Sequence, residues 1–204
     1  MLKRMLSSLL AASALLLGSV AQAQTTPDGL VKQVSTEVIE TVKADKAIQA
    51  GDMNKVMALV DAKILPHVNF QRMTSMAVGR YWRQATPEQR SRLQDEFKLL
   101  LVRTYAGALG QVRDQSVVMK PMRAKPEDTE VLVRTEVKGK ADAIQLDYRL
   151  EKNGADWKIY DVNVLGVWLV ETYRSSFAQE ISASGIDGLI SKLAERNKVP
   201  AAKS

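Results

Sequence analysis

The stretch WKIYDVNVLGVWLVETYRSSF, residues Trp157 to Phe177, changes its periodicity halfway along. Trp157 and Ile159, then Tyr160, Val162 and Val164, alternate as in a strand buried at least partly on both faces. After Gly166 the apolar residues fall at Val170, Tyr173, Phe177 and Ile181, the spacing of an amphipathic helix. A strand that turns into a helix through a glycine lays the helix back against the sheet it has left. Any interior ligand is then expected in the gap between them.

Working back from this joint, Ile144, Leu146, Tyr148 and Leu150 alternate strictly with Gln145, Asp147, Arg149 and Glu151. One dry face and one wet face favour an antiparallel sheet. Asn153-Gly154 is a two-residue hairpin signal that should pair this strand with the Trp157 strand. Val131, Val133, Thr135 and Val137 mark a further strand, with Leu132 on its polar side, and Gln115 to Lys120 a shorter one.

The first half reads as helix. Val31, Val34, Val38 and Val42 form a stripe reaching Ile48, and Asp52 can cap a second helix that Pro66 ends. Asn69 can cap a short third one closed near Gly79. Thr86-Pro87-Glu88-Gln89 combines an N-cap, a proline at the first helical position and a capping box. The helix it opens carries Leu93, Phe97, Leu100, Leu101 and Tyr105 on one face, yet Leu99 and Val102 fall opposite. Such a helix is covered on two sides or lines something. Ser184-Gly185 interrupts the final helix, and Leu189, Ile190 and Leu193 mark its continuation. The expected fold is α+β: a curved antiparallel or mixed sheet of about four strands under several helices.

Lys3-Arg4, the uncharged run Leu6 to Val20 and Ala21-Gln22-Ala23 read as a cleaved secretory signal over 1–23. The core is short for a membrane span and ends in a cleavage site. The rest is expected to form a single domain over 24–199 with a tail over 200–204. Loss of Lys3 and Arg4 takes two charges from a formal net +6. Between Arg72 and Lys125 eleven Lys/Arg face four Asp/Glu. In an exported chain such a surface points to anionic headgroups or an acidic protein, not nucleic acid.

Cysteine is absent, which excludes disulfides and thiolate metal sites. His67, the only histidine, lies away from any nucleophile or ligand motif. No phosphate-cradling glycine loop occurs. Asp161 and Glu171, near the joint, are the carboxylates a two-carboxylate hydrolase would have to use. Neither a catalytic residue, a metal nor a cofactor is expected. The chain does offer adaptable apolar surface, including Met53, Met57, Met73, Met76, Met119 and Met122.

Two long stretches resemble the MlaC family of exported phospholipid-shuttle proteins, also called toluene-tolerance proteins. They are ILPHVNFQRMTSMAVGRYWRQATPEQRSRLQDEFKLLLVRTYAGAL at 64–109 and WKIYDVNVLGVWLVETYRSSFAQEISASGIDGLISKL at 157–193. The combination of Ala85 to Gln89, Tyr173-Arg174-Ser175 and Gly185 to Leu189 carries the resemblance. One departure stands out. The family pattern at the joint resembles Glu-Gly-Val-Ser, and here it reads Leu165-Gly166-Val167-Trp168.

The resemblance implies an NTF2-like arrangement with a phospholipid held between sheet and helices. It also implies a periplasmic carrier passing lipid between an outer-membrane lipoprotein–porin complex and an inner-membrane ABC lipid transporter with an MCE-domain subunit. Such a carrier would maintain outer-membrane lipid asymmetry and perform no chemistry. A lipid-free interaction module docking an acidic partner is the alternative. The apolar members of the opposed faces, and so the candidate lipid-binding residues, are Met73, Met76, Phe97, Leu101, Tyr105, Val131, Val133, Leu146, Tyr148, Trp168, Tyr173 and Phe177.

Overall fold

A computed structural model describes residues 25–140 and 142–198. The signal segment and the tail expected from the sequence lie outside these described residues. Helix α1 spans Pro27–Ala44, with the Thr26 hydroxyl accepting from the Gly29 amide. Asp45 breaks the long stripe and caps a single turn, α2 (Lys46–Gln49), through the amides of Ala47 and Ile48. Helix α3 (Met53–Leu59) starts at Asp52 and relaxes through a π-turn, Val60–Ile64, and a 3₁₀ turn, Leu65–His67. Helix α4 (Phe70–Val78) lies between Asn69 and Gly79, and a 3₁₀ turn, Gly79–Arg83, leads on. Helix α5 (Pro87–Leu109) has the complete Thr86/Gln89 capping box.

Five strands follow: β1 (Ser116–Met119), β2 (Glu130–Lys138), β3 (Ile144–Asn153), β4 (Asp156–Val164) and β5 (Val167–Trp168). They form one sheet in sequence order, and every ladder is antiparallel. The fold is therefore α+β, as expected. The mixed alternative gives way to a meander, since the one parallel element among the described residues is an isolated Val68–Ile159 bridge. The strand count rises from about four to five because β5 is too short for a periodicity signal.

The irregularities sit where the sequence changes phase. Arg149 pairs with Asp161 but Leu150 with Ile159, so Tyr160 is the extra residue of a β-bulge. This is why the apolar alternation of β4 slips between Ile159 and Tyr160. Asn153 pairs with Asp156, which places Gly154-Ala155, not Asn153-Gly154, at the hairpin turn. At the joint, Val164 pairs with Val167, and Leu165 (φ 52°) and Gly166 (φ 91°) form the two-residue turn. Positive φ at both central positions is the demand of a type I′ turn, where Asn-Gly is usual.

Helix α6 runs over Leu169–Lys198 and bends at Gly185, whose φ of 75° leaves the helical region. Trp168 occupies the position just before α6, where a side-chain acceptor would cap the helix. Trp168 cannot do so. Asp161 supplies the acceptor instead: its Oδ1 takes the amides of Val170, at 3.1 Å, and Val162, at 2.9 Å. Its Oδ2 accepts from Arg149 Nη1 at 3.2 Å, and the Arg149 guanidinium lies 3.9 Å over the Trp168 ring. Both oxygens of Asp161 are thus committed to structure.

Apolar packing falls into three clusters. One joins α4, α5 and both halves of α6 around Leu93, Phe97, Phe177 and Ile190. A second seats Leu30, Val31 and Val34 of α1 on Val131, Val133, Leu150 and Ile159 of the sheet. The third packs Val102 and Ala106 of α5 against Val42, Ile48, Val56 and Leu59. Helix α5 is therefore covered on two sides, which accounts for Val102 opposite its main face.

Burial holds the Asp161 carboxyl above its ordinary range, against the opposing pull of two amides and Arg149. A raised carboxyl binds more protons in the fold than in the unfolded chain. Its contribution is thus favourable at low pH and falls as pH rises from the unfolded value. The stability difference between wild type and Asp161→Asn should shrink as pH is raised from about 4 to 7, measured by urea unfolding. Leu165→Asn should raise stability by up to about 1 kcal/mol, because a left-handed backbone disfavours leucine.

Candidate functional site

Alternation along β2, β3 and β4 puts Val131, Val133, Leu146, Tyr148, Leu150, Ile159 and Val162 on the face toward α1. The opposite face carries Glu130, Leu132, Arg149, Tyr160 and Asp161. The structure divides the candidate residues accordingly. Met73, Phe97 and Phe177 are buried in the helical cluster, with Met76, Leu101 and Tyr173 against them. The Phe97 ring meets Tyr173 at 5.0 Å and Phe177 at 5.2 Å, both edge-on. Val131 and Val133 are buried in the sheet cluster with Tyr148 against them.

Tyr105 and Leu146 belong to none of the three clusters, although each is half-buried. Trp168 is not brought together with the others. It stacks under Arg149 on the outer face, where Glu130, Val131, Leu132, Arg149 and Tyr160 complete the lining of a shallow hollow of about 250 Å³. Arg72 closes that outer network: its guanidinium lies 3.8 Å over Tyr160 and pairs with Glu130 and Glu151. Sequence reading missed this network, because its members come from distant segments on the wet face.

The remaining candidates are half-buried. Burial raises the Tyr148 hydroxyl above the usual tyrosine range, and its neighbours Ser35 and Thr135 offset part of this. Yet the Tyr148 side chain keeps accessible surface. Tyr105 shows the same combination, raised by burial and then by the neighbouring Tyr173. Leu146 pairs with Val164, itself half-buried, at the end of the sheet beside the Leu165 turn. The half-buried side chains of this region are thus Met76, Leu101, Tyr105 and Tyr173 on the helices and Leu146, Tyr148, Val162 and Val164 on the sheet.

A cavity of about 330 Å³ opens between α5 and the two halves of α6. Its walls include Leu100, Tyr173, Phe177, Leu189 and Leu193, and the exposed Lys192 and Arg196 also line it. It lies in the helical layer, not between helices and sheet where the sequence places the ligand. The reason is the bend at Gly185, which folds α6 back and leaves a hollow at the elbow.

The chemistry of the region is that of apolar contact. Asp161 is occupied as a cap, and Glu171 is exposed on α6. His67 sits in its 3₁₀ turn with its imidazole held below the usual range by burial and then by Lys158. Among the described residues no group of three or more His, Cys, Asp or Glu side chains could hold a metal ion. No described helix is long and apolar enough to cross a membrane.

Because Leu146 lies outside the packed clusters, Leu146→Glu should cost less than about 1.5 kcal/mol of stability. The same charge at Val133, fully buried in the sheet cluster, should cost at least about 3 kcal/mol. Urea midpoints of the two variants measure the contrast.

The chain is similar to known proteins along nearly all of this architecture. It is 31% identical over 188 residues to the toluene tolerance protein ttg2D of Pseudomonas putida, covering 91% of this chain and 85% of that one. With the intermembrane phospholipid transport system binding protein MlaC of Haemophilus influenzae it shares 24% identity over 192 residues, 92% of this chain and 90% of that one. Among solved structures, a phospholipid-binding protein from Ralstonia solanacearum, determined in complex with a phospholipid, superposes with a TM-score of 0.81 at 48% identity. That match covers 83% of this chain and 96% of the other. The family model described as MlaC protein matches residues 32–195, and the chain belongs to the MlaC family.

Proposed function

We propose that this protein is a periplasmic phospholipid carrier, a single lipid-binding domain released after removal of residues 1–23. The observation that carries the reading is the apolar inner face of the sheet, at whose end Leu146 and Val164 stay half-buried outside the packed clusters. The similarity to a phospholipid-bound structure supports the same reading.

The physical task is large. Two acyl chains with about thirty methylenes cost roughly 25 kcal/mol to expose, at about 0.8 kcal/mol each. A carrier has to replace most of that apolar environment and still release the cargo. Three separate clusters suit this better than one continuous core, because helices can part from the sheet along the seams between clusters. Met76, Met119 and Met122 are half-buried and lie at cluster edges, where a flexible thioether can follow chains of varying shape.

Tyr105, Leu101, Leu146, Tyr148 and Tyr173 are the wall residues under this proposal. Met73, Phe97, Val131, Val133 and Phe177 form the packed backing behind them, and Trp168 acts outside, through Arg149. Lipid would move between an outer-membrane lipoprotein–porin complex and an inner-membrane ABC transporter with an MCE-domain subunit, maintaining outer-membrane lipid asymmetry. The protein performs no chemistry on its cargo and needs no cofactor.

Solvent extraction of freshly purified protein, followed by mass spectrometry, should yield phospholipid near one molecule per chain. Leu146→Glu should lower that yield several-fold with the fold retained. A folded wild-type protein that carries no lipid and takes none from vesicles contradicts the proposal.

A further inference from the structure

The 3₁₀ turn between α4 and α5 gathers four arginines from three segments. Arg80 and Arg83 lie on the turn and are exposed. Arg90, one turn into α5, folds back so that its Nε donates to the Trp82 carbonyl at 3.1 Å. Its guanidinium lies 5.4 Å from the centre of the Trp82 ring. Arg174, on α6, reaches across so closely that a Cβ at Gly79 would sit 3.4 Å from its Nε. Gly79 has φ 64°, so the close approach and the backbone both favour glycine.

The turn is held in place. The Tyr81 hydroxyl is 2.9 Å from both Arg80 Nη2 and Ser182 Oγ of α6. Tyr81 and Trp82 are half-buried against the helical cluster. Arg80, Arg83, Arg90 and Arg174 form no ion pair with any described carboxylate, while Arg72, Arg149 and several lysines do. Asp187, on the adjoining part of α6, accepts from Gln89. Guanidiniums of Arg80 and Arg90 set against the Tyr81 and Trp82 rings, with Arg83 and Arg174 near the same turn, are the composition of an energetic centre in a protein–protein interface.

We infer that this face, built from Arg80, Tyr81, Trp82, Arg83, Arg90 and Arg174, docks the acidic surface of a partner protein. Charge complementarity selects an acidic occupant. A bilayer is disfavoured because nothing apolar protrudes here to enter it. The exposed large apolar side chains, Val118, Leu132, Ile144, Leu165 and Val167, all belong to the sheet and its turns. The inference is independent of cargo and holds whether or not lipid is bound.

The test uses full-length mature protein and two probes, poly-L-glutamate and vesicles of equimolar phosphatidylcholine and phosphatidylglycerol. Arg80→Glu with Arg83→Glu should weaken poly-L-glutamate binding about tenfold, with lipid content and urea midpoint unchanged. The charge-matched control, Lys32→Glu with Lys55→Glu on exposed positions of α1 and α3, should change it less than about twofold. Arg80→Gln with Arg83→Gln should fall between. Equal losses in the arginine and lysine variants would reduce the effect to net charge and overturn the inference. Vesicle binding lost in step with the two arginines would overturn it in favour of a membrane surface.

Discussion

The buried carboxylate of Asp161 is the constraint on which the arrangement depends. It belongs to β4, yet it terminates α6 by accepting the Val170 amide, and it fixes Arg149 of β3 at the same time. A helix N-terminus buried against a sheet leaves amides that must be satisfied. With tryptophan at the capping position, the acceptor has to come from elsewhere, and the bulge at Tyr160 rotates Asp161 into place. Helix α6 is thereby pinned at its start, and its remaining length, bent at Gly185, closes over α4 and α5. Removing the carboxylate would free one end of the helical layer from the sheet.

This junction also sorts the two faces of the sheet. On the outer face Arg149, Trp168, Tyr160, Arg72 and Glu130 make a stacked, ion-paired layer that stiffens β2 to β4. On the inner face the side chains are mostly apolar, packed under α1 around Val133 and Leu150 and half-buried at Leu146, Tyr148 and Val164. The same separation leaves Trp168 on the outer face, stacked on the guanidinium that Asp161 also holds.

Much of this was legible in the chain. Capping residues announced α3, α4 and α5, strict alternation announced β3, and the periodicity change at Gly166 announced the joint itself. Strand β5 was not legible, because two residues carry no period and Trp168 reads equally as strand or helix. The phase slip in β4 was visible, but its cause, one extra residue at Tyr160, needed the partner strand. Trp168 was placed on the inner wall by its apolar character, whereas pairing with Asn163 puts it outside. The outer network stayed hidden because charge alternation on a wet face looks the same whether or not the residues meet. Spacing along a helix shows which side is apolar, and only packing shows whether that side meets core or space.

The central claim is that hydrocarbon lies on the inner face of the sheet and not on the outer one. Brominated acyl chains quench tryptophan only at close range, so single-tryptophan variants can place them. In one variant Tyr148→Trp is the sole tryptophan; in the other the native Trp168 is. Loading both with a phospholipid brominated along its chains should quench the tryptophan at position 148 strongly and leave Trp168 bright. Quenching of Trp168 with position 148 unaffected would contradict the account.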